Sequence, residues 1–312
     1  MLSRQSSPKI GGVNCFMTLV PQMPAKVQYL LTCSFPLVKK LCEKSSIEQF
    51  VGGRKGYDKE MLFGWLLIKK LMNWDYRTIA SMAGVSHPTL MRANDLFLRK
   101  HVYENVLVDL VKKAYREGLI HGKYVAMDSS FVHTFSKKGE LGSEGWNEFK
   151  EAYGFKLHLL VDCETKFPIA VCITNGLAND MTLAIPLLKK ARYWLKRCGY
   201  VVADKGYDWQ DLVNWIVKML HAKAGIPIKK YKRGKNYSWL GAWNNFQLKR
   251  KGRSIKKSIY NRRTAIERVF SVLKRTYHLG KEETRGILNF AKNVYLTLIC
   301  YMLKLFDIAG IS

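Results

Sequence analysis

From Tyr57 to about Glu117 the apolar positions recur three and four residues apart, as in Met61, Trp65, Leu66 and Ile68, and runs of β-branched residues are scarce. That spacing predicts a helical region. Beyond Gly118 to Gly122 the pattern changes to short apolar runs of strand length. These fall at Lys123 to Met127, Gly154 to Val161 and Ile169 to Thr174, the last two forming a hairpin around Asp162 to Phe167. A helix over about Met181 to Arg197 follows, then a strand at Tyr200 to Ala203, a helix from Trp209 to about His221, a strand around Ile226 to Ile228 and a last helical third from Ser258. The chain thus divides into an N-terminal arm, 1–45, that the pattern leaves unassigned, a helical domain, 46–120, and an α/β domain, 121–312. No internal repeat or low-complexity tract interrupts them.

Three strands, helix, strand, helix, strand, helix describes a mixed sheet with helices on its faces. This is the plan of the ribonuclease-H-like fold, although several other α/β folds begin in the same way. With 312 residues, 48% of them apolar and 24% charged, the chain has enough material for a sizeable core and does not read as disordered. Its 52 Lys and Arg against 24 Asp and Glu leave a net charge of +28, which points to a polyanionic partner, nucleic acid first. A membrane surface is the weaker candidate, because the most apolar stretch, Val294 to Leu303, is roughly half the ~20 residues that span a bilayer. The apolar segment Gly11 to Val20 is followed by Pro21 and Pro24 without a small-residue cleavage site, so secretion is not expected. Seven scattered cysteines, none in a C-x-x-C pair, suggest neither a disulfide framework nor a zinc knuckle and fit a reducing cytoplasm.

Within the helical domain, Ile79 to Arg92 has the marks of a helix-turn-helix. Ala80 is small where two helices approach, Gly84 suits a turn at positive φ, Val85 plugs the core beneath it, Ser86 caps the second helix and Pro88 sits in its first turn. The second helix then offers His87, Thr89 and Arg92 on the end that enters a major groove. An ordinary helical hairpin inside a bundle uses the same devices.

Acids are few in the second half of the chain, so those at strand ends stand out. Asp128 ends the first strand and Asp204 the fourth, in Asp204-Lys205-Gly206-Tyr207-Asp208. If those strands are parallel neighbours, both carboxylates emerge at the edge where open α/β sheets bind ligands; taken singly, each also reads as a loop cap. On one continuous helix, a turn of about 100° per residue sets Tyr260, Arg263, Glu267 and Lys274 in one stripe, while Ile266, Val269, Phe270 and Leu273 form the packing face. That stripe is equally a solvated face with an Arg263–Glu267 pair. Asp162 and Asp180 read as turn and cap acids, Asp208 and Asp211 as cap and first-turn acid of the helix after Trp209, and His133 and His158 as structural histidines.

Together, Asp128, Asp204 and Glu267, the Y-x2-R-x3-E-x6-K spacing of Tyr260, Arg263, Glu267 and Lys274, the strand Gly154 to Asp162 and Asn179-Asp180 resemble the DDE transposases of bacterial and archaeal insertion sequences over residues 123–303. The resemblance implies a ribonuclease-H-like catalytic core preceded by a DNA-binding helical domain. It implies Asp128, Asp204 and Glu267 as catalytic ligands of two Mg²⁺ ions, with Mn²⁺ as a substitute, and Arg263 and Lys274 as phosphate contacts, with Tyr260 against a flanking base or sugar. The partners it implies are double-stranded DNA, both terminal inverted repeats and target, and a second copy of the chain, as a homodimer on DNA. Only 63 residues separate Asp204 from Glu267, so a compact core without a large inserted β domain is expected.

Hard carboxylate donors without His or Cys suit Mg²⁺ chemistry at a phosphodiester. Between Lys223 and Arg275 stand 17 Lys and Arg against one acid, Glu267. Lys229, Lys230, Lys232 and Arg233 lead that run, and Tyr231, Tyr237, Trp239, Trp243 and Phe246 interleave with it, a mixture that grips backbone phosphate and stacks an unpaired base. A related nuclease without strand transfer would carry the same acids, whereas a DNA-binding regulator derived from an inactive enzyme would be expected to have lost one.

Overall fold

The computed structural model describes residues 57–134, 145–228, 256–282 and 285–311, together with Gln28 and Arg253. The candidate cations Lys229, Lys230, Lys232 and Arg233 and most of the arm lie outside the described residues. The chain forms two compact units. One takes in the described residues up to Leu110 and Tyr295–Ser312, the other Val111–Val294.

In the first unit, helices α1 (Lys59–Met72), α2 (Tyr76–Ala83), α3 (His87–Arg99) and the start of α4 (Val102–Arg116) enclose Phe63, Trp65, Leu66, Phe97 and Tyr103. Phe63 and Phe97 meet edge to face at 5.4 Å, a favoured aromatic geometry. A buried polar chain is paired within this unit: the Tyr103 hydroxyl donates to Asn94 Oδ1 and the Asn94 amide donates to the Tyr76 hydroxyl, both at 2.5 Å. Asp58 and Asp75 cap α1 and α2 by accepting from the Glu60 and Thr78 amides at 3.0 and 2.7 Å. Gly84, at φ +63°, ends α2, and Val85 is buried behind it. Ser86 stands at the cap position of α3, but its hydroxyl pairs with the Thr89 hydroxyl at 2.8 Å and makes no capping bond.

The second unit is a seven-stranded mixed sheet. Strands β1 (Tyr124–Thr134), β2 (Gly145–Asn147), β3 (Ala152–Asp162), β4 (Pro168–Asn175), β5 (Tyr200–Val202), β6 (Lys223–Gly225) and β7 (Lys281–Glu282) alternate with α5 (Asp180–Ala191), α6 (Gln210–Leu220), α7 (Lys257–Tyr260), α8 (Thr264–Arg275) and the start of α9 (Ile287–Ile308). β1 lies between β3, antiparallel, and β5, parallel; β4 and β2 pair with β3, β6 with β5, and β7 with the end of β1. The long strands read as continuous apolar runs because both faces are covered: Leu159, Leu160 and Val161 of β3 are fully buried.

Three details depart from the sequence reading. β1 runs on to Thr134, so Asp128 lies within it and not at its end. The last core strand is Lys223–Gly225, not Ile226 to Ile228. The helix expected to run through Tyr260 to Lys274 is broken by a 3₁₀ turn at Asn261–Arg263, so α7 and α8 are separate pieces. A constant 100° step cannot anticipate that overwinding. The predicted packing face of α8 does occur, with Ile266, Val269 and Leu273 fully buried.

Candidate active site

The parallel ladder between β1 and β5 ends at the rung Ala126↔Val202, and Asp128 and Asp204 both stand two residues beyond it. Parallel register therefore carries both carboxylates to one edge of the sheet. Asp204 is anchored by accepting from the Gly206 amide at 2.6 Å as it opens the 3₁₀ turn Lys205–Tyr207. Asp128 accepts from the Ser129 amide at 2.8 Å. Burial pushes the Asp128 carboxyl up to about 6; the Ser129 amide and Arg263 pull it down, and the charges of Asp204 and Asp180 push it further up.

Glu267 reaches this edge from α8 through Arg263, one helical turn earlier. The Arg263 guanidinium donates to Asp128 Oδ2 at 3.0 Å and to Glu267 Oε1 at 2.5 Å, joining a strand acid to a helix acid. The Tyr260 ring lies 5.8 Å from that guanidinium. Two turns along α8, Lys274 donates to the Phe131 carbonyl at 3.0 Å, which holds it against the outer half of β1. Burial first, and the neighbouring Lys150 second, lower its pKa. The structure thus brings together Asp128, Arg263 and Glu267 by direct bonds, and Asp204 by register and field.

Among the described residues no group of three or more His, Cys, Asp or Glu side chains is gathered closely enough to enclose a metal ion. The donor set still fits a hard cation, since its members are carboxylates.

Several side chains have roles that the sequence reading missed. Asn179, not Asp180, caps α5, accepting from the Met181 amide at 3.0 Å. Asp180 instead pairs with Lys156 at 3.1 Å and faces His158 Nδ1 at 3.8 Å, while His158 Nε2 meets the Thr174 hydroxyl at 2.9 Å. Tyr207 is buried against the site with its hydroxyl bonded to the Ser129 side chain; burial, then the charges of Asp128, Asp180 and Asp204, raise its pKa well above 10. Gly154 to Asp162 and Asn179-Asp180 carried the signal, but a cap and a structural histidine were the simpler local readings. Asp208 is likewise no cap: α6 starts at Gln210, and Asp208 is in a buried pair with Arg253 at 2.7 Å. Asp162, fully buried, accepts from the Gly122, Glu164 and Thr165 amides and is structural, as expected of a turn acid. In the first unit His87 and Arg92 are exposed on α3 and Thr89 is half-buried.

Asp128 within β1 is thus joined through Arg263 to Glu267 of α8, and Asp204 follows the parallel neighbour β5 at the same register. Residues 122–303, more than half of the chain, match the family described as the transposase DDE domain, and the chain belongs to that family. No curated protein matches it. Among solved structures it is similar to the piggyBac transposase synaptic complex with hairpin DNA, at 12% identity over 97% of this chain and 77% of that one, with a TM-score of 0.47. It is also similar to the Mos1 transposase paired-end complex with left transposon end, at 12% identity over 88% and 94% of the two chains and a TM-score of 0.24. The Mos1 strand transfer complex gives 13% identity, 94% and 96%, and 0.24. Likenesses at these scores support no functional conclusion.

Proposed function

We propose that the protein is an insertion-sequence transposase with a ribonuclease-H-like catalytic core, which binds the terminal inverted repeats of its element as a dimer, cleaves the DNA and joins it to a target. The observation that carries this reading is the placement of Asp128 and Asp204 two residues past one rung, with Arg263 holding Glu267 to the same edge. The sheet order, with β1 flanked by one antiparallel and one parallel neighbour, supports it.

Asp128, Asp204 and Glu267 would hold the Mg²⁺ ions, for which Mn²⁺ substitutes. Bound there, divalent ions supply charge for the attacking and leaving oxygens of a phosphodiester. In the hydrolytic step water adds to phosphorus, the P–O3′ bond breaks, and the released 3′ oxygen takes up a proton. In the second step that hydroxyl attacks a target phosphodiester, forming a new P–O bond as the target's own 3′ oxygen leaves. Arg263 and Lys274 bind phosphate beside the cut, and Tyr260 lies against the flanking nucleotide. His87, Thr89 and Arg92 on α3 read the terminal repeat as a helix-turn-helix, and Lys229, Lys230, Lys232 and Arg233 add sequence-independent affinity. The protein works in the cytoplasm.

Asp128→Asn, Asp204→Asn and Glu267→Gln are each expected to abolish Mg²⁺-dependent cleavage and strand transfer on a duplex carrying the element end, with end binding retained. A variant that cuts at the wild-type rate removes its residue from the ligand set, and a wild-type chain that cuts but never joins is a nuclease.

A further inference from the structure

α5 starts at Asp180, beside the carboxylate edge, and after the 3₁₀ turn Arg192–Leu195 the chain reaches the opposite edge of the sheet. There the Gly199 and Tyr200 amides donate to the Lys123 carbonyl at 2.9 and 3.0 Å, just ahead of β1 and at the start of β5. At 1.5 Å per residue, the 12 residues of α5 separate its two ends by roughly 18 Å. A group bound at the far end is therefore distinct from a phosphate at the cut.

That far end is strongly basic. Lys189, Lys190, Arg192, Lys196 and Arg197 are all exposed, and no acid occurs between Asp180 and Asp204. Lys190 donates to the Val171 carbonyl at 3.2 Å and Lys196 lies 4.6 Å over the Tyr193 ring, but none of the five has an acidic partner among the described residues. Lys123 is exposed at the same edge. Of the nearby acids, Asp162 is buried and held by the Gly122, Glu164 and Thr165 amides, and Glu164 is engaged by His121 and by Arg262 at 3.6 Å. Tyr193 is 61% exposed, its ring fixed edge-on against Trp194 at 4.6 Å.

A helix C-terminus favours cations in its last turn, which accounts for Lys189 and Lys190. Arg192, Lys196 and Arg197 lie beyond the helix and gain less from it. Their mutual repulsion is relieved by a polyanion, and an exposed tyrosine among them suits a sugar or base.

We propose that this edge is a second nucleic-acid contact, in which Lys123, Arg192, Lys196 and Arg197 hold the phosphates of duplex DNA and Tyr193 packs against its sugars, away from the carboxylate edge. The contact rests on the reading of the protein as one that acts on DNA. Its test is the affinity of the full chain for a random-sequence duplex of about 40 base pairs across a salt series, for wild type and for a variant with Lys123, Arg192, Lys196 and Arg197 all changed to Gln. Each phosphate interaction removed should flatten the slope of log affinity against log salt by ~0.9, so a decrease between about two and four is expected. All four residues are exposed, and an unchanged melting temperature checks that the variant folds. An unchanged slope in the folded variant overturns the proposal. Cleavage is scored separately on wild type: a chain that shows the slope difference but never cuts overturns the transposase reading and leaves this contact in place.

Discussion

Removing the arginine of the buried Arg253–Asp208 pair should destabilise the second unit severely. Their side chains are 0% and 1% exposed, Arg253 Nη2 donates to Asp208 Oδ1 at 2.7 Å, and Nη1 donates to the Ile226 carbonyl at 3.2 Å. Arg253→Met keeps most of the side-chain volume but removes the charge that Arg253 supplies to the buried Asp208 carboxylate, a loss of about 3–5 kcal/mol. At roughly 2–4 °C per kcal/mol for a unit of this size, the melting transition should fall by about 6–20 °C. The double variant Asp208→Leu/Arg253→Met removes both charges, and since apolar replacement of a buried pair is often neutral, it should recover most of that fall. Differential scanning calorimetry at pH 7 on wild type, both single variants and the double gives the coupling directly. An Arg253→Met transition within about 2 °C of wild type would refute the reasoning, because water would then be stabilising the carboxylate. A double variant no better than the singles would mean that shape, not charge, holds the site.

Burial pushes the His158 imidazole down to about 4, with Asp180 opposing and Lys156 adding to the shift. The unfolded chain, with its histidine near 6.5, binds the proton first as pH falls, so this residue's stabilisation is complete above about 6.5 and is lost toward 4. His158→Gln should flatten the acid side of a urea-midpoint profile, and superimposable profiles would contradict the assignment. Gly154→Ala places a Cβ 2.2 Å from the Val132 carbonyl and 2.6 Å from the Phe131 ring. It should cost at least the ~1–3 kcal/mol of ordinary overpacking, and an unchanged melting temperature would mean that β1 and β3 separate there at no cost.

The positions of Asp128 and Asp204 were legible because each follows a short apolar run, although β1 continues past Asp128 through the more polar stretch Ser129 to Thr134, which does not read as strand; register then needed only the parallel pairing that the alternation of strands and helices implies. The apolar face of α8 was legible for the same reason, since Ile266, Val269, Phe270 and Leu273 repeat at helical spacing. What escaped depended on distance along the chain. Asp208 precedes a helix, and local capping chemistry is visible in a sequence, whereas its partner 45 residues later is not. Asp180 beside Lys156, across 24 residues, was lost to the same cause. The return of Tyr295–Ser312 to the helical unit also left no mark, because the apolar pattern of α9 does not state which core it enters. Candidates such as Lys229 and Lys230 rested on charge alone, which specifies a partner's sign but no geometry.

The backbone of Arg253 bridges Ala224, two residues before the Ile226 carbonyl that its side chain grips. The chain thus leaves the sheet after β6 and comes back to nearly the same spot, where it is fastened by a buried ion pair before continuing toward α7 and Glu267. A segment whose two ends are pinned side by side can change length at little thermodynamic cost, since loop closure adds only about 0.6 kcal/mol for each doubling. Neither the rung that sets Asp128 and Asp204 nor the entry to α8 has to move when it does. Because both ends of the span between β6 and Arg253 are fixed at the sheet, a change in its length need not displace the carboxylate edge.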